Sequence, residues 1–206
     1  MRKLFWVLGG LAVVLWWLHG LPQGGPARQR IDWSADPVQV DADVHGPTFE
    51  RVTSHGKVTF HPRATFEASG VAASAEHYLL DPVAFLSPVD VVLTWGHLPE
   101  SPYKEKISYS QMTRYYFWRT RATDLDLTYI SRHSANMHLL PSNANLKKAV
   151  AKIGSGDAVR ISGLLVDLVT DRGLYWNTSM TRDDTGPGAC EVIWVQELQI
   201  GNRVYR

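Results

Sequence analysis

The chain has 206 residues, of which 45% are apolar and 20% charged, with a formal net charge of +1. That composition argues against large-scale disorder, which needs low hydrophobicity and high net charge, and against a nucleic-acid partner bound by bulk phosphate neutralisation. A single cysteine, Cys190, rules out an intramolecular disulfide and a multi-cysteine zinc site.

Arg2 and Lys3 precede an apolar run, Leu4 to Leu18, which extends through His19 and Gly20 to Leu21. A basic start followed by an apolar run is the pattern of a signal peptide or signal anchor. The run lies at the short end of the about 17–25 residues that span a bilayer. No small-x-small cleavage triplet follows it, and Trp16 and Trp17 stand near its far end, where aromatic rings favour the headgroup level. The expectation is a transmembrane anchor over residues 1–22, with residues 4–21 in the membrane and Arg2 and Lys3 on the cytoplasmic side. Gln23 to Arg30 is rich in Gly, Pro and charge without periodicity and reads as a linker.

Residues 31–206 read as one β-rich domain. Val38 to Ala42 alternates apolar and polar, as does Lys57 to Phe60 after the His55-Gly56 turn. Ala64 to Ser74 predicts a long strand with a kink or bulge at Gly70. Val89 to Gly96 is a strongly apolar run, and Arg114 to Arg119 is an aromatic strand bounded by cations. One short helix is expected where Asn143 or Asn145 caps Leu146 to Ile153, with Gly154 as its stop. Ala158 to Val169 predicts a long strand carrying Gly163, Tyr175 to Ser179 a return strand, and Cys190 to Ile200 the closing strand. Long glycine-interrupted strands with antiparallel returns point to a mainly β fold: an OB-like or related partly open barrel, with a β-sandwich as the alternative.

Three segments carry a family resemblance: Ser134 to Leu139, Gly156 to Gly163, and Thr178 to Glu191 with its Asp184-Thr185-Gly186-Pro187-Gly188-Ala189-Cys190-Glu191 run. The strand ending Leu93-Thr94-Trp95-Gly96 fits as well. They resemble an uncharacterised family of bacterial exported or membrane-anchored proteins, in which an Asn is expected where this chain has Ala135. The resemblance brings no activity. With the anchor, it implies a single-pass protein of the bacterial inner membrane whose C-terminal domain lies in the periplasm.

The candidate site residues are few. His133 and His138 are five apart, which does not match the i, i+4 helical zinc pair, so no metal is expected, and no cofactor signature is present. The bland reading of Asn136 and His138 is that they hydrogen-bond loop backbone ahead of the helix. The chemical reading pairs Cys190 as nucleophile with His138 as base, Asn136 or Glu191 orienting the imidazole. Against it, Cys190 opens an apolar strand and lacks the helix N-terminus that commonly activates a thiol. Arg182 and Asp184, in a loop before two glycines, and Trp95, at a strand end, are ligand-binding candidates together with Asn136 and His138. Two functions follow. The first is a non-catalytic envelope module that binds a protein or glycan partner or serves a membrane complex. The alternative is a thiol-dependent hydrolase or transferase built on Cys190 and His138.

Overall fold

The computed structural model describes residues 20–41, 47–184 and 186–206. The expected anchor lies almost wholly outside the described residues, as does Thr185. Among the described residues no helix is long and apolar enough to cross a membrane. The domain is mainly β, as the alternation requires. Its strands are β1 (Gly24–Pro26), β2 (Val38–Asp41), β3 (Phe49–Thr53), β4 (Gly56–His77), β5 (Val89–Thr94), β6 (Ile107–Met112), β7 (Tyr115–Thr120), β8 (Ser134–Pro141), β9 (Ala158–Thr170), β10 (Tyr175–Trp176), β11 (Glu191–Ile200) and β12 (Arg203–Tyr205). The expected helix is α3 (Ala144–Val150), capped by Asn143, whose Oδ1 accepts from Leu146 N. Two further short helices, α1 (Tyr103–Lys106) and α2 (Leu127–Arg132), were not legible in the sequence.

The main sheet runs β11-β8-β5-β4-β9, and β9 pairs back with β11. β4 is long enough to pair with β2, β3, β5 and β9 at once. It remains in register by bulging. Between Pro62 and Ala64 one residue has no opposite number on β9, which shifts the two-residue alternation by one. Val58 and Phe60 therefore pack on one face with Leu168 and Val192, whereas Ala64, Phe66 and Ala68 pack on the other with Ile161 and Leu165. The second face holds the larger core, closed at one side by Leu146, Ala149 and Val150 of α3.

The glycines at the strand centres are there for close approach. A Cβ on Gly163 would lie 2.0 Å from the Trp194 carbonyl oxygen, beside the bulge between Val195 and Glu197 of β11. Gly70 faces the Thr94 carbonyl in the same way, at 2.5 Å. Gly163→Ala should therefore force β9 and β11 apart and destabilise the domain by about 3 kcal/mol or more, the range of a severe core substitution, as read by urea unfolding. A change under about 1 kcal/mol would count against the close-approach account.

Two expectations are corrected. The Gly24–Pro26 stretch of the linker is a strand on β12, its Gly24 lying flat against the Tyr205 ring, where a Cβ would be 2.6 Å from the ring. Asn136 and His138 are not in a loop. They lie within β8, whose eight residues are all buried.

Candidate active site

Strand register assembles the site. The parallel β8–β11 pairing sets His138 beside Val192, and the antiparallel β5–β8 pairing sets Asp90 beside His138. Side chains two apart share a face. Asp90, His138, Asn136 and Cys190, which is two residues ahead of Val192, therefore emerge on one face of three adjacent strands.

The side chains form a connected row. His138 Nδ1 lies 2.9 Å from Asp90 Oδ2, with both groups buried. The ring N–H is not aimed squarely at that oxygen, so charge holds the pair as much as a directed bond does. Cys190 is the second group that raises the pKa of this imidazole; with Nδ1 turned to Asp90, Nε2 is the nitrogen left for the thiol. Burial disfavours the imidazolium, but the hydrogen bonds and charges of Asp90 and Cys190 outweigh it, and His138 titrates above the ordinary imidazole range. Trp176 covers the imidazole at 4.6 Å between ring centroids. The Asn136 amide is fixed from both ends: Oδ1 accepts from Gln111 Nε2 at 2.9 Å, and Nδ2 donates to Arg114 O at 2.8 Å. Nδ2 also lies 3.6 Å from Cys190 Sγ.

A hairpin clamps this row from above. β6 and β7 turn through Thr113 and Arg114, both at positive φ (51° and 72°), a conformation that favours Gly or Asn. At this tip, Arg114 Nη1 donates to Asp90 Oδ1 at 2.8 Å and Nη2 to Asp81 Oδ1 at 2.6 Å, while the guanidinium sits 3.6 Å over the Tyr78 ring. Ser87 Oγ adds a bond to Asp90 Oδ1 at 3.1 Å. Asp90 is thus fully buried yet held by a serine, an arginine and the imidazole.

Cys190 opens onto a cleft of about 520 Å³, between β7 on one side and the loop through Thr181, Arg182, Asp184 and Pro187 on the other. Arg182 ion-pairs with the buried Glu191, and Asp184 Oδ2 accepts from Ser179 Oγ at 2.6 Å.

Of the residues singled out in sequence, Cys190, His138 and Asn136 come together, and Arg182 and Asp184 line the same cleft. Trp95 does not reach it. It is fully buried in the core, donates to Asp36 Oδ1 at 2.9 Å, and has the Arg182 guanidinium 6.0 Å over its ring. His133 lies away from His138, stacked on Tyr129 at 3.7 Å. Among the described residues no group of His, Cys, Asp and Glu is placed to hold a metal ion. Asp90 and Arg114 were missed. An Asp inside the run Val89 to Leu93 was the available signal, since a carboxylate in an all-buried strand needs a partner. No family model matches the chain, and neither the curated proteins nor the solved structures contain a match to it.

Proposed function

We propose that this domain is a thiol-dependent hydrolase or transferase in which Cys190 attacks a carbonyl carbon, His138 moves the proton and Asp90 orients the imidazole. The observation that carries the reading is the strand register that sets Asp90, His138 and Cys190 on one face, with Asp90 2.9 Å from the imidazole and the sulfur opening onto a cleft. Nucleophile, base and orienting carboxylate brought to one face are the parts this chemistry requires.

In the first step the thiol proton passes to His138 Nε2 as Sγ bonds the carbonyl carbon and the C=O electron pair moves onto oxygen. Asn136 Nδ2, which donates toward the sulfur at 3.6 Å from its buried position, holds Sγ in place for that attack. Collapse expels the leaving group, which takes the proton from His138, and leaves an S-acyl enzyme. Water or a second nucleophile then adds to the acyl carbon and gives its proton to His138. The S–C bond breaks, and sulfur recovers the proton. Because Cys190 is the only cysteine, no intramolecular disulfide can consume it.

On this reading the domain is held outside the cytoplasm by the anchor expected over residues 1–22, in keeping with the resemblance to bacterial exported proteins. The ring of strand pairings from β9 through β4, β5, β8 and β11 back to β9 supports an OB-like, partly open barrel, with the site on its outer face. A non-catalytic envelope module that binds a protein or glycan partner remains the competing function, and one experiment separates the two. Incubating the full chain with an aryl ester should leave one acyl group on Cys190, found by mass spectrometry and removed by hydroxylamine. It should be absent from Cys190→Ser. A Cys190 that stays unacylated, and alkylates no faster with iodoacetamide than a free thiol, would leave only the binding module.

A further inference from the structure

The cleft in front of Cys190 also says what kind of acyl group would be transferred, on the footing that the catalytic reading holds. Its volume of about 520 Å³ lies within the range of pockets that enclose small organic ligands. One wall is the edge of β7, lined by Tyr115 and Phe117 from its more exposed face and by Tyr116 and Trp118 from the other. Ala135, Pro187 and Ala189 complete the apolar lining. Among the described residues, two of these rings are about half open: Tyr115 is 40% and Phe117 47% exposed. Large apolar side chains left open on a concave wall are what a bound apolar group would cover.

The charged groups of the cleft are already committed. Arg182 answers the buried carboxylate of Glu191, so its charge holds the loop against β11. Asp184 is tied to Ser179, and its carboxylate would repel an anionic substrate. The lining hydroxyl of Ser134 is spent on the Ile130 carbonyl at 2.7 Å. A carboxylate or phosphate on the acyl group would thus enter a site with an aspartate at its wall and a cation already paired. We infer that the site takes an uncharged, apolar acyl group longer than acetyl, seated against Tyr115 and Phe117 with its carbonyl carbon at Cys190 Sγ.

The test is a series of p-nitrophenyl esters (acetyl, butyryl, hexanoyl and the anionic succinyl) with the full chain, Cys190→Ser and Phe117→Ser. kcat/KM should rise about fourfold per added methylene, the ratio corresponding to ~0.8 kcal/mol per buried CH2. The succinyl ester should fall below butyryl. Phe117→Ser, which removes a half-exposed ring, should cut the hexanoyl-to-acetyl ratio by about tenfold, as expected when a ring worth roughly 1.4 kcal/mol of contact is lost. A flat series, or a preference for succinyl, with turnover that still vanishes in Cys190→Ser, would overturn this inference and leave the catalytic reading standing. Turnover of every ester that survives Cys190→Ser, or no turnover at all, would overturn both.

Discussion

A His138→Ala chain should turn over aryl esters about 10²- to 10⁴-fold more slowly than the parent, the span of a single well-placed general acid–base group. Asp90→Asn should also slow the reaction, and it should do something that a merely structural residue would not. His138 must be unprotonated to take the thiol proton, so the rate falls on the acid side as His138 protonates. Burial pulls the His138 pKa down, and the hydrogen bonds and charges of Asp90 and Cys190 raise it past its ordinary value. Removing the Asp90 charge deletes a raising contribution and leaves the burial effect in place. The acid limb of the kcat/KM profile should therefore sit above about 6.5 in the parent and move to lower pH in Asp90→Asn. If the limb stayed where it was, Asp90 would not be acting through the imidazole, and the proposed row would lose its third member.

What the sequence could and could not reveal follows from locality. Strands whose alternation faces solvent on one side were readable, as at Lys57 to Phe60, and so was α3, because a cap and a 3.6-residue spacing are local signals. β8 also alternates: Ser134, Asn136 and His138 against Ala135, Met137 and Leu139. Its polar face, however, is covered by the β6–β7 hairpin, so residues whose polarity suggested a solvated loop are buried in a strand. The Cys190–His138 pair was visible as two reactive residue types, whereas the carboxylate that the structure sets against His138 is that of Asp90 and not of Glu191. Which carboxylate meets His138 is decided by the β5–β8 register, a pairing between residues 48 positions apart in the chain. Glu191 was a reasonable candidate by sequence, but its side chain points to the opposite face of β11 and pairs with Arg182.

Arg114 is where site and stability meet, and its removal should produce a large loss of stability. Its guanidinium is mostly buried and bridges Asp90 to Asp81, which is held below the usual carboxylate range: burial pushes Asp81 up, but the bonds and charge of Arg114, with Val83 N–H, win. Without Arg114, Asp90 keeps only Ser87 and His138 while still fully buried. Stranding one partner of a buried ion pair costs about 3–5 kcal/mol, or roughly 6–20 °C in Tm for a domain of this size. The backbone works in the other direction. Arg114 sits at φ 72° beside Thr113 at φ 51°, and a non-glycine residue held in such a conformation costs about 1–3 kcal/mol. Arg114→Gly separates the two effects, because glycine relieves the turn while deleting the guanidinium. The larger electrostatic loss should win, so Arg114→Gly should melt below the parent. Arg114→Met, which loses the charge and keeps the strain, should melt lower still. Adding Asp90→Asn to Arg114→Met removes the stranded charge and should recover part of the loss. An Arg114→Gly chain that melted as high as the parent would mean that the turn strain, not the arginine bridge, is the dominant energy at the hairpin tip.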